Sequence, residues 1–419
     1  MARATLAFAV ALGLACDTPT RERIDHWRGT RDGAERLAEA LSSTDVPADL
    51  RARAALHLVA LGATPVAVTA LRRQPAPAVL DALIPLLAAD ARVASELQVP
   101  TPGQVAAKDA LFELRPLATP VQRDLIDGHL AEWLTGYYEG RSALGRHSGR
   151  EILLVVGARA APGLTAALDA VLGQRAPSKN SFVAVRDELL EGLALAGSPG
   201  VAVLLDLAQR KRGARHADAT LPTRAMRALG SVYVERDTDR KPLLASLDRL
   251  EAMAADTHTP PAIANLAFDL IAATGPPHCL LHLTTLARHA DAIRVWVALR
   301  KGLDCAGVDA VVPLAEALRP ERDFDPAELD RFFWAPVAAL GPGAAVPARA
   351  LIASGNWLAR LTGVKVLEKV GTRSDAERLR GIASDSTTLR WSRDHDTKWA
   401  SSTLGAEAAR VADQLEKKQ

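Results

Sequence analysis

The sequence predicts an all-α chain, an α-solenoid of stacked antiparallel helix pairs. Three observations predict it. The 419 residues are 48% hydrophobic but only 4% aromatic, so the core is built from Ala, Leu and Val. Ala and Leu enter helices at little cost, and Val and Ile are too scattered for the alternation that marks strands. A glycine-marked unit also recurs: an apolar helix, a Gly, a short polar or Pro turn, then a second apolar helix. Its spacing is regular, with Gly275 to Gly307 spanning 32 residues, Gly307 to Gly341 34, and Gly341 to Gly371 30.

The first segment reads Met1-Ala2-Arg3, an uncharged run from Ala4 to Ala15, then Cys16. A basic start followed by a short apolar run is the pattern of an export signal. The run has 12 residues, whereas crossing a bilayer takes roughly 20. Gly13-Leu14-Ala15-Cys16 resembles a bacterial lipoprotein signal. That resemblance implies cleavage after Ala15 and a lipid on Cys16. Gly13 stands where such signals usually carry Leu, and Gly13 with Ala15 also suits an ordinary signal peptidase. Residues 1–15 are therefore expected to be a signal peptide and 16–30 a tether. The expected location is the bacterial cell envelope, lipid-anchored, with a soluble periplasmic protein as the alternative.

From residue 31 to 419 the repeat dominates. It first appears as Ala54 to Leu61, Gly62-Ala63-Thr64-Pro65, then Val66 to Leu71, and returns around Gly157, Gly197, Gly275, Gly307, Gly341 and Gly371. Gly197 to Gly275 spans 78 residues, which hold two units if Gly230 marks the middle one. Gly ends the first helix because it takes a left-handed conformation without a Cβ penalty. Pro, Ser or Asp then opens the second helix, whose first turn has spare N–H groups. Each pair buries its apolar face only by stacking on a neighbour. This pattern resembles the HEAT/armadillo superfamily of helical repeats, although the units are shorter than the roughly 40 residues usual there.

Two stretches break the rhythm: an insertion near 128–150 and a polar loop near 385–398. A capping helix is expected near 401–417. The insertion holds His129, Trp133, Tyr137, Tyr138, Arg141, Arg146 and His147 among several glycines. Aromatics and Arg on a loop give large contact area with polar handles. Trp133, Tyr137, Tyr138, Arg141, Arg146 and His147 are therefore the candidate partner-binding residues. The competing reading is a long inter-repeat loop that packs its own aromatics.

Other polar clusters are weaker. Trp391-Ser392-Arg393-Asp394-His395-Asp396-Thr397-Lys398-Trp399 offers oxygen and nitrogen donors, but adjacent residues rarely converge on one ion. His278 and His282 have the i, i+4 spacing of a zinc pair without the intervening Glu of metalloproteases. No metal and no cofactor are expected. Cys279 and Cys305 lie near the same turn of consecutive units; repeat stacking at roughly 10 Å favours buried free thiols over a disulfide. His57 reads as a packed core residue.

With Lys plus Arg at 51 and Asp plus Glu at 49, the net charge is +2 and nucleic acid is not an expected partner. The densest basic stretch, Arg210-Lys211-Arg212 with Arg215, reads as an inter-helix loop. No phosphate loop and no Gly-x-Ser-x-Gly occur, so the sequence reads as no enzyme. The expected function is a scaffold that binds another protein through its solenoid surface and meets the membrane through Cys16. The alternative follows from the resemblance: HEAT-like repeats occur in phycobilin lyases, which implies a small-molecule-binding or catalytic, lyase-like solenoid using residues 129–150.

Overall fold

The computed structural model describes residues 19–92, 100–136, 144–173, 179–209, 219–322, 324–389 and 403–418. Side-chain caps and prolines set where its helices begin. Thr20 caps α1 (Arg21–Trp27), accepting a hydrogen bond from the Arg23 amide. Ile24 of α1 is buried, so part of the segment expected to be a tether is folded into the domain. Thr101 and Gln104 form a reciprocal capping box before α6 (Pro102–Leu114), which satisfies two of the orphan amides of a helix start. Thr119 and Gln122 repeat this exchange before α7 (Pro120–Gly136).

The chain divides into two compact units, the first ending at Gly200 and the second starting at Val201. The first contains α1, α2 (Gly33–Ser42), α3 (Ala48–Ala60), α4 (Thr64–Arg73), α5 (Pro77–Ala91), α6, α7, α8 (Gly149–Gly173) and α9 (Lys179–Leu195). Successive helices pack together, α2 on α3, α5 on α6, α7 on α8 and α8 on α9. Alternate helices pack as well, α2 with α4, α4 with α6, α3 with α5 and α5 with α7. That double pattern is the signature of two layers stacked pair by pair. Leu37, Leu58, Leu83, Ile84, Leu111 and Leu164 fill the space between them.

At 25 residues, α8 is long and apolar enough by composition to cross a membrane. Here it buries Ile152, Leu153, Val156, Ala160, Ala161 and Leu164, and Arg159 pairs with Asp124 of α7. Gly157 lies inside this helix rather than at the turn that the repeat spacing predicts. A Cβ there would stand 2.8 Å from Ala196 Cα and 2.9 Å from Leu195 O. The glycine thus serves a close backbone approach, which the spacing alone could not distinguish from a helix end.

The helix α10 (Gly197–Gln209) carries the division. The second unit continues with α11 (Leu221–Tyr233), α12 (Lys241–Leu244), α13 (Leu247–Ala255), α14 (Pro261–Ala273), α15 (His278–His289), α16 (Ala292–Ala306) and α17 (Val311–Ala317). Next come α18 (Pro326–Leu329), a π turn (Asp330–Trp334), α19 (Ala335–Ala339), α20 (Ala345–Leu351), α21 (Trp357–Val370), α22 (Asp375–Arg380) and α23 (Leu404–Glu416). Its layers are read the same way: α13, α15, α17 and α20 in one, α11, α14, α16, the π turn with α19, α21 and α23 in the other. Gly275 and Gly341, with φ of 71° and 84°, turn the chain between helices as the repeat predicts. Gly230 does not; it lies inside α11. The helix α23 occupies the place expected of a cap and buries Leu404, Val411 and Leu415. No strand is formed among the described residues; Thr388 and Thr403 make one isolated bridge.

Cys279 and Cys305 form a disulfide, contrary to the expectation of free thiols. The second helix of one unit runs antiparallel to the first helix of the next. The first turn of α15 therefore sits beside the last turn of α16, and the two Cα atoms are 6.8 Å apart rather than a full repeat spacing.

Several buried charged groups are paired. His57 does lie in the core, with Nε2 2.7 Å from Asp25 Oδ1. His282 Nδ1 lies 2.6 Å from Glu251 Oε2, while His278 is exposed at the helix start, so the two do not act as a pair. Asp375 is 1% exposed and accepts two bonds from Arg349, at 2.6 and 3.1 Å, and one from the Thr372 amide at 2.9 Å. The Arg349 guanidinium, foremost, holds this carboxyl below its usual range. A depressed folded pKa contributes stability above the unfolded value of about 3.9, lost as pH falls through the folded one. Asp375→Asn is expected to lower stability at pH 7 by about 1.5–3 kcal/mol. Urea unfolding between pH 7 and pH 3 should show that deficit shrinking on acidification, and a deficit independent of pH would refute the pairing.

Candidate functional site

Residues of α6 decide what the insertion near 128–150 does. In the run Ala106-Ala107-Lys108-Asp109-Ala110-Leu111, helical periodicity turns both Lys108 and Asp109 inward. Lys108 is 0% exposed. Its three N–H groups meet three acceptors: Asp109 Oδ1 at 2.6 Å, His147 O at 2.6 Å and Leu144 O at 2.9 Å. Asp109 in turn accepts the Arg146 amide at 2.7 Å and the His147 amide at 3.2 Å. One buried ion pair thus fixes both the carbonyls and the amides of the turn at 144–147.

Gly145 is required within that turn. Its φ is +93°, and a Cβ would lie 2.5 Å from Asp109 Oδ2. Ser148 and Glu151 then make a capping box that starts α8. Above α6, Glu113 reaches Arg146 Nη1 at 3.1 Å and His147 Nε2 at 3.2 Å. The His147 ring also packs on Phe112, with centroids 4.7 Å apart, and its Nδ1 lies 3.6 Å from Glu151 Oε2.

The predicted site residues separate accordingly. Trp133, on α7, is 5% exposed and lies beneath Lys108, whose Nζ is 5.0 Å from the ring centroid. Its apolar bulk insulates the buried ion pair, so it belongs to the interior and is withdrawn from the partner-binding set. His147 is half-buried and held on three sides. Arg146 keeps its side chain 64% exposed. Tyr137, Tyr138 and Arg141 lie outside the described residues, as do Cys16, the 391–399 cluster and the basic stretch at 210–215. Lys108 and Asp109, which organise the turn, were not singled out in the sequence. The signal was there, two adjacent charges interrupting an apolar helical stripe.

The turn, closed by Lys108 and Asp109 and presenting Arg146, is a rigid surface element. Trp133 is turned into the interior, and the His147 ring lies against Phe112 at an interplanar angle of 46°. The helix α7 leaves Val121 and Leu125 exposed, and α8 leaves Leu154 and Val155 exposed.

No family model and no curated protein matches the chain. Among solved structures, it is similar to human deoxyhypusine hydroxylase in complex with glycerol. Identity is 16% and the TM-score 0.22, with 81% of this chain and 97% of that one covered. The fold itself is all-α, with helices packed in successive antiparallel pairs within each unit. That solved protein is by name a hydroxylase, an enzyme, against the expectation of no enzyme here, and that expectation is not kept. A TM-score of 0.22 carries neither a reaction nor a residue correspondence across.

Proposed function

We propose that this chain is an envelope-anchored helical-repeat scaffold that binds another protein through its solenoid surface. The observation that carries this reading is the turn at 144–147. A buried lysine and aspartate hold its backbone, so Arg146 is presented from a preorganised element. Preorganisation reduces the ordering cost of association, and Arg is enriched where interfaces concentrate their binding energy. The exposed Val121, Leu125, Leu154 and Val155 add apolar area on the same two helices that flank the turn. The Cys279–Cys305 disulfide supports export, because such bonds persist in oxidising compartments. Cys16 is the proposed site of lipid attachment.

The test is crosslinking in native cells followed by affinity capture and mass spectrometry. Wild-type protein is expected to bring down one or two stoichiometric envelope proteins. A Tyr137→Ala, Tyr138→Ala, Arg146→Ala variant should lose them. A bait that captures nothing from its own envelope would refute the scaffold reading. Cys16→Ser should release the protein from the membrane fraction, and unchanged fractionation would refute the anchor.

A further inference from the structure

A depression of about 530 Å³ in the second unit collects three arginines, and we infer that it binds an oxyanion. Arg288 comes from the last turn of α15, and Arg319 and Arg322 from the turn after α17. Asn356 also lines it as the N-cap of α21, a 14-residue helix, so the positive end of that helix dipole joins the same lining. Glu316 and Glu321 also line it. Yet among the described residues no carboxylate lies within 4 Å of any of the three guanidinium groups; Asp323 falls outside them.

Their hydrogen bonding leaves donors to spare. Arg319 Nη2 donates to His289 Nδ1 at 2.8 Å, which keeps that imidazole nitrogen an acceptor. Arg322 Nη2 makes only a long bond, 3.4 Å, to Arg288 O, and its Nη1 is buried without any partner. A buried charged donor without an acceptor is costly. Three arginines and two glutamates leave the lining one positive charge in excess. A carboxylate or phosphate accepting from the guanidinium forks would balance that charge and supply acceptors to their remaining N–H groups. Asn356 has no such capacity left: its amide donates to Leu318 O at 2.8 Å and its oxygen caps the Leu358 amide.

The oxyanion is either an acidic side chain of the partner, which rests on the scaffold reading, or a free ion. Thermal unfolding of the full chain in sodium phosphate, against sodium chloride of equal ionic strength, tests the site itself. Phosphate near ten times its Kd should raise Tm by about 2–4 °C. An Arg319→Gln, Arg322→Gln variant should lose that rise, while Arg300→Gln, an exposed arginine elsewhere, keeps it. Arg319→Gln alone, at an exposed position, gives the answer if the double variant folds poorly. No rise in the wild type, or a rise that survives in the variants, overturns the inference. The same variants in the crosslinking experiment then separate the sources. Lost capture assigns the site to an acidic group of the partner, and full capture alongside a lost phosphate effect assigns it to a free ion. A wild-type bait without any partner defeats the scaffold reading alone, since the thermal result stands independently.

Discussion

Lys108→Met is expected to destabilise the first unit by about 3–5 kcal/mol, the cost of removing one partner of a buried ion pair. Methionine fills the volume but donates nothing. Asp109 loses its counter-charge, and the Leu144 and His147 carbonyls lose their donor in the same step. Nothing nearby replaces it, because Trp133 closes the site from below. Arg146→Ala removes an exposed pair with Glu113 instead, and such pairs contribute about 0–1 kcal/mol. Urea unfolding followed by circular dichroism should therefore separate the two variants by several-fold. Hydrogen exchange should place the Lys108→Met loss in α6, α7 and the start of α8. A change below about 1 kcal/mol would mean that the pair does not hold the turn.

This contrast also explains what could be read from the sequence. Helix content and pair stacking follow from composition and periodicity, so the layers of both units were legible. Gly275 and Gly341 announced their turns because a left-handed residue in a helical repeat has few other uses. Gly157 and Gly230 carry the same letter for other reasons: the first admits the backbone at Leu195 and Ala196, and both lie inside helices. Local spacing cannot separate a turn from a close approach between distant segments. The candidate site divided along the same line. Trp133 and His147 were conspicuous by type, yet their roles depend on Lys108, Asp109 and Glu113, which lie 20 to 39 residues away and become neighbours only when α6 packs on α7. The arginine depression was equally hidden, since Arg288 ends α15 while Arg319 and Arg322 follow α17, and all three register as ordinary surface charge until those helices pack.

The disulfide makes the other large prediction, and it bears on where the protein works. Cys279 and Cys305 close a loop 26 residues apart in sequence. Loop-closure entropy assigns such a cross-link about 3.5 kcal/mol, through the states it denies the unfolded chain. Cys279 is fully buried, so a serine there would add a buried hydroxyl, and alanine is the cleaner substitution. Cys279→Ala with Cys305→Ala should lower the unfolding free energy of the second unit by about that amount, plus a smaller packing loss at Cys279. Dithiothreitol should lower the wild-type midpoint towards that of the double variant and leave the variant unmoved. The first unit holds no cysteine among its described residues, so its transition should not shift with reductant. The bond joins the second helix of one repeat to the first helix of the next, the interface through which a solenoid transmits stability between units. Losing it should therefore uncouple α15 from α16 before either helix melts. Hydrogen exchange that rises first at the facing ends of these two helices would show that order, whereas uniform loss across the second unit would place the contribution in the unfolded chain alone.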